Sequence, residues 1–404
     1  MAFQHGLRAF FCVALIMAAA GFAAPVHAQA KGEGARPEVG NPLKAAATAL
    51  RARRARDALS EVARAEAVPN RTPYENFLIQ QMKGAAANAA GDYDTAIAAF
   101  DAVLKSGRVS GREASDMMKA IAVAYYQRKD YAQAARAAQR YFREGGGNDP
   151  AMRTVLLQSY YLSGDCAAVS RIAEESQRTT EEELQMLLNC YQRSRDNGGY
   201  VATMEKLVVG YPKKEYWTDL LARVQKKPGF SDRLALHVYR LRLATGNLRD
   251  SNDYMEMAQL ALQAGSPAEA KQVVDKGYET RALGSGKDAE RHARLKALVD
   301  KSIAASQQAR AKEEADAMAA PSGEELVKLG MNYVYEGKAD KGLPLIEQGI
   351  KKGNLKRPED AKLTLGEAQI LAGHRNRAVQ TLKGVTGNDG TADLARLWVL
   401  NARA

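Results

Sequence analysis

An all-α chain of stacked antiparallel helix pairs is what this 404-residue sequence predicts, and three observations predict it. A pattern of small residue, turn, small residue and large apolar residue recurs along most of its length. Ala is abundant, aromatics make up 7% and there are only 12 Pro, a balance that favours helix. No run of alternating Val, Ile or Thr has the period of a half-buried strand.

The pattern is clearest from Gly84 to Phe100. Gly84 and Ala87 let one helix sit close to another, Gly91-Asp92 ends that helix, and Ala96 and Phe100 begin the buried face of the next. It recurs at Ala122, Tyr125, Asp130-Tyr131, Ala134 and Ala138, and again at Leu157, Tyr160, Gly164-Asp165, Val169 and Ala173. Three further copies follow, around Ala258, Gly265, Ala270 and Val274; around Gly330, Tyr333, Gly337 and Ile346; and around Gly366, Gly373, Ala378 and Leu382. In its order of landmarks and its spacing the unit resembles the tetratricopeptide repeat (TPR), whose period is about 34 residues. The resemblance covers about residues 43 to 390 and implies a right-handed superhelical solenoid that binds proteins or peptides.

Taken in order, the chain begins with Arg8, an apolar run from Ala9 to Met17, and small residues around Val26-His27-Ala28. A charged end, a short apolar core and an A-x-A-like site predict a secretory signal spanning 1–28 and export to the periplasm. Cys12 lies inside the apolar core and not at its end, which argues against lipid attachment there. Residues 29–42, rich in Gly, Glu, Pro and Lys without periodicity, read as a flexible mature end. A helical pair from Leu43 to Val68 is the atypical first unit, and Thr72-Pro73 reads as an N-cap with Pro in the first turn.

Residues 43–283 form the expected N-terminal array. Within it the unit from Leu184 departs from the pattern, because Asp196-Asn197-Gly198-Gly199 reads as a lengthened turn, and Pro228-Gly229 breaks a looser helical pair. Residues 284–320 lack the small-residue landmarks and read as a long polar helical linker. Residues 321–404 read as a C-terminal repeat pair with a tail helix whose Leu394, Leu397, Trp398 and Leu400 close the apolar end.

The net charge is +11, or +10 without Arg8. Export argues against nucleic acid as the partner, and the run Arg51-Ala52-Arg53-Arg54-Ala55-Arg56 reads mainly as a solvated helix face. Without Cys12, Cys166 and Cys190 form an even pair in an oxidising compartment. Antiparallel neighbouring helices bring them close, so a disulfide is one expectation and two small buried thiols the other.

No acid, base, nucleophile or metal-ligand set stands at a recognisable spacing, so neither an enzyme nor a cofactor or metal site is expected. His237, His292 and His374 are isolated from one another. Gly284-Ser285-Gly286-Lys287 resembles a fragment of a phosphate loop, but Arg281 stands where the first Gly belongs and Asp288 follows the Lys.

Binding is left. The resemblance places the first helix of each pair along a groove, so residues one turn from the buried landmarks face a ligand: Gln81 and Asn88, then Lys119, Tyr126 and Gln127, then Gln158 and Tyr161, with Lys328 and Tyr335 in the C-terminal pair. Tyr126 and Tyr161 are the leading candidates, since Tyr supplies large area and a polar tip. The Lys and Asn clamp of chaperone-binding relatives is not matched, because Gln81 and Ala85 occupy those positions. The reading is a periplasmic adaptor for a protein or peptide in envelope assembly or transport. The alternative is a binder of peptidoglycan or another envelope polyanion.

Overall fold

The computed structural model describes residues 34–175 and 179–403, so the expected leader, residues 1–28, lies outside the described residues. Every regular element among them is helical, and the chain divides into two compact units, 1–165 and 166–404. That division falls inside the expected N-terminal array.

The first unit opens with α1 (Pro37–Arg51) and α2 (Ala55–Glu66). The helix begins within the stretch expected to be flexible, because Val39, Leu43, Ala46 and Ala49 form a buried stripe and Pro37 starts it. Two pairs follow, α3 (Pro73–Ala90) with α4 (Tyr93–Lys105) and α5 (Gly111–Gln127) with α6 (Tyr131–Arg143); α7 (Pro150–Ser163) completes the unit. Thr72 and Glu75 form a reciprocal capping box at α3, as Thr72-Pro73 predicts, and Glu75 also accepts from the Arg36 side chain. Small-residue packing works as the pattern requires: a Cβ on Gly84 would stand 2.6 Å from the Phe100 ring.

The second unit begins with α8 (Cys166–Glu174) and α9 (Glu181–Ser194), and a disulfide joins Cys166 to Cys190 with the Cα atoms 5.3 Å apart. Next come α10 (Asn197–Gly210), α11 (Lys214–Gln225), a 3-10 turn (Asp232–Leu234) and α12 (Ala235–Ala244). The turn before α10 is short. Gly198 and Gly199 lie within that helix, where a Cβ on Gly199 would collide with the Tyr191 ring, so these glycines serve packing and not loop length.

The pair α13 (Ser251–Gln263) and α14 (Pro267–Glu279) precedes α15 (Ala289–Ala319), the long polar helix. It packs on α13 and α14 through Leu295 and Val299, while His292 Nδ1 accepts from the Gly284 amide. The last elements are α16 (Glu324–Tyr335), α17 (Ala339–Lys352), α18 (Pro358–Leu371), α19 (Arg375–Lys383) and α20 (Thr391–Arg403). The tail helix does more than close an end. Besides α18 and α19 it packs on α10 and α12, so the C-terminal repeats fold back within this unit. Ion pairs Lys227–Asp393 (2.9 Å), Arg233–Asp360 (2.9 Å) and Arg396–Glu205 (2.5 Å) tie that closure.

Candidate functional site

Among the described residues, two of the polar clusters bear on a candidate site, one in each unit. In the first unit the first helices of successive pairs are tied side to side. Gln81 Nε2 donates to Glu113 Oε1 at 2.6 Å, Lys119 Nζ to Asp149 Oδ2 at 2.7 Å, and the Tyr126 hydroxyl to Gln158 Oε1 at 2.9 Å. Each bond spans about one repeat in sequence, which places these residues on one shared face. Burial raises the Tyr126 hydroxyl, whose ring meets Tyr131 edge-on with centroids 5.5 Å apart.

Asp149 anchors the middle of this face. It also accepts from the Tyr141 hydroxyl and from the amides of Ala151 and Met152. Burial alone would raise its carboxyl, but Lys119 and these donors outweigh burial and hold it below the usual carboxylate range. Burial, seconded by Asp149, pushes Tyr141 up to about 12.

Five of the seven expected ligand-facing residues of the first unit are reachable here. Gln81, Asn88, Lys119 and Tyr126 are half-buried and Gln127 is exposed. Gln158 and Tyr161 are not, at 7% and 6% exposure. The reason is that α7 is covered on more than one side: Val155, Leu156, Leu157 and Tyr160 are buried along with them. Tyr125, expected in the core, is half-buried, with the Arg128 guanidinium 5.9 Å from its ring centre.

In the second unit the fold assembles a network that no motif in the sequence spells out. Arg240, 7% exposed, donates from Nε and Nη2 to Glu269 at 2.7 and 2.6 Å and from Nη1 to Glu367 at 2.8 Å. Glu367 is shared further: His237 Nδ1 lies 2.9 Å from its oxygens and Trp398 Nε1 donates at 3.0 Å. The Tyr335 hydroxyl donates to Glu269 at 3.0 Å, and burial together with that carboxylate drives the phenol well above its ordinary value. Tyr335 is therefore a buried member of this network and not a ligand-facing residue; at 8% exposure its polar tip is spent inside. These buried groups are joined to one another by hydrogen bonds, an arrangement suited to fixing α12, α14, α16, α18 and α20 in one relative position.

A cavity of about 550 Å³ opens beside the network, with His237 and Arg240 in its lining. Leu236, Val327, Met331 and Leu355 give it an apolar side, while Ser266, Lys328 and Arg357 add polar groups. Of the expected C-terminal pair of binding residues, Lys328 is exposed at this cavity. No group of His, Cys, Asp and Glu among the described residues is placed to hold a metal ion, and no helix among them is long and apolar enough to cross a membrane.

Charged residues at core positions were the available signal for the network. Glu367 sits between Gly366 and Ala368 and Arg240 between Tyr239 and Leu241, but their partners lie 29, 127 and 31 residues away.

Recurrent helix pairs with small-residue contacts, without strands among the described residues, define a helical-repeat protein built of TPR-like helix pairs. Residues 80–241, under half of the chain, match the model of the YfiO family, described as outer membrane lipoprotein. Among solved structures the crystal structure of the yeast Tom70 is similar at 12% identity, over 90% of this chain and 95% of that one, with a TM-score of 0.27. No curated protein matches the chain.

Proposed function

We propose that this protein is an exported scaffold of the cell envelope that holds a protein or peptide partner along the first helices of its first unit, around Tyr126. The observation that carries the reading is the match of residues 80–241 to an envelope family, made over helix pairs whose first helices share one hydrogen-bonded face. The leader-like N-terminus supports the location. Lipid attachment is not part of the proposal, since Cys12 lies within the apolar run.

On that face the Tyr126 ring supplies area at little rotamer cost, flanked by exposed Gln127 and half-buried Lys119 and Gln81. Its hydroxyl is already oriented by Gln158, so a partner meets a preset surface. A photo-crosslinking residue placed at 126 in cells, with position 318 in the second unit as the control, tests the reading. A protein adduct at 126 and none at 318 is expected; an absence of adduct at 126 with the fold intact rejects it.

A second reading, binding of a glycan or other polyanion, is favoured by the four exposed arginines Arg51, Arg53, Arg54 and Arg56 at the α1–α2 turn. Such binding would weaken steeply between low and physiological salt, whereas binding at the Tyr126 face would not.

A further inference from the structure

We infer that the α1–α2 turn docks on a bilayer of anionic phospholipids through Arg51, Arg53, Arg54 and Arg56. This rests on the polyanion reading of the turn and narrows it to one partner, while the Tyr126 face and its partner are independent of it.

In sequence the arginine run looks like the solvated side of one helix, but the fold puts it across a turn. Arg51 is the last residue of α1, Arg54 the residue before α2, and Arg53 between them takes a left-handed backbone with φ 58°. The amides of the turn are already in use: Arg53 donates to the Leu50 carbonyl at 2.9 Å and Arg54 to that of Ala49 at 2.8 Å, which fixes the backbone. Beneath it Leu43, Ala46, Ala49, Ala58 and Val62 are buried in one cluster. Four exposed arginines are thus carried on a fixed turn, with only Ala52 and Ala55 among them.

Their charge is not neutralised within the chain. Arg51, Arg53 and Arg56 make no hydrogen bond or ion pair among the described residues, and Arg54 has Asp57 at 3.3 Å in a pair exposed on both sides and therefore weak. Asp57 is the only carboxylate from Leu43 to Ser60. Lys44, two helical turns before Arg51 and so on the same side of α1, is exposed as well. The basic stretch of the second unit differs, since Lys351, Lys352, Lys356 and Arg357 are followed closely by Glu359 and Asp360.

The shape of the patch selects the partner. A chain-like polyanion is tracked along a charged groove with aromatic platforms. A tight turn offers no groove, and no Phe, Tyr or Trp occurs from Gly34 to Pro73. A plane of phosphates needs neither. Attraction to it requires only that cations come within a Debye length of the surface, about 8 Å at physiological salt, which side chains spread over one exposed turn can do together.

Co-sedimentation of the purified full chain with vesicles of phosphatidylglycerol and phosphatidylcholine in equal parts, and with phosphatidylcholine alone, tests the inference; calorimetric titration with soluble long-chain polyphosphate runs beside it. Binding to the mixed vesicles and not to the neutral ones is expected, weakening steeply between low and physiological salt. Arg51→Gln with Arg56→Gln, a surface change that leaves melting unaltered, should weaken binding about 25-fold, from about fivefold per arginine, whereas Arg51→Lys with Arg56→Lys should bind as the parent does. Lys351→Gln with Lys356→Gln, which removes the same charge from the second unit, should leave binding unchanged. Equal weakening by the two glutamine pairs, or equal binding to neutral vesicles, overturns the inference. Binding of polyphosphate without binding of vesicles overturns it too but leaves the polyanion reading standing; if neither binds, that reading falls as well.

Discussion

Replacing Arg240 by methionine removes a guanidinium that serves two buried carboxylates at once, Glu269 at 0% and Glu367 at 1% side-chain exposure. Methionine preserves most of the volume, so the loss is electrostatic. Glu269 keeps only the Tyr335 hydroxyl from this network, whereas Glu367 keeps His237 and Trp398. Breaking a buried ion pair from one side costs about 3–5 kcal/mol, and with two carboxylates stranded we expect the upper end, about 5 kcal/mol. Trp217 and Trp398 are both buried in the second unit, so urea unfolding followed by tryptophan fluorescence reads this unit directly.

The triple variant Arg240→Met, Glu269→Gln, Glu367→Gln removes the stranded charges as well and should recover at least about 2 kcal/mol of the loss. The deficit also depends on pH. In the parent protein burial alone would raise the Glu367 carboxyl, but His237 and Arg240 outweigh it and hold it low. Its stabilisation is thus present above the unfolded carboxylate pKa and lost as pH falls through the lower folded value. Without Arg240, burial gains ground, the carboxyl moves up and protonates sooner. The gap between variant and parent should therefore narrow from pH ~7 to ~5. A loss below about 1 kcal/mol, the scale of an exposed pair, or a triple variant no better than the single one, would refute the reasoning.

Three other outcomes follow from single contacts. Gly330→Ala should destabilise the second unit by about 1–3 kcal/mol despite the better helix former, because a Cβ at 330 would lie 2.6 Å from the Gly342 carbonyl oxygen; a neutral or stabilising result in urea would show that α16 and α17 can part. Replacing Cys166 and Cys190 together by serine should cost about 3–4 kcal/mol, from the loop entropy of a 24-residue separation, and a melting temperature unchanged by reductant would contradict this. Glu75, held at about 2 chiefly by Arg36 and then by the Thr72 and Arg36 amides, has a depressed folded value, so its contribution is present above 4.5 and lost as pH falls towards 2. Circular dichroism melts of the parent should fall over that window more steeply than those of Glu75→Gln, and parallel curves would count against it.

The repeat landmarks were legible because they are local: Gly84 against Phe100 and Thr72 with Glu75 act within one helix pair, and a small residue or a cap announces itself in a few positions. Gly198-Gly199 was misread for the same reason. Two glycines spell a turn unless the Tyr191 ring they accommodate is known to lie over them. The start of α1 was hidden by Pro42, which sits inside the helix, and by a buried stripe whose first member, Val39, lies among polar residues. The candidate binding face was legible in outline through helical spacing, which found Tyr126 and Gln81. It failed at Tyr161, where the cover over α7, and not the spacing, sets exposure.

What the sequence by itself determined is the repeating helix pair, since packing between adjacent helices depends on residues within about one period of each other. Only the tertiary structure decided that the C-terminal helices return to α10 and α12, and with that return the Arg240 network and the cavity beside it. Charged groups separated by 127 residues carry no local mark of one another; they become partners when chain closure removes both from water and leaves each the other's best source of hydrogen bonds.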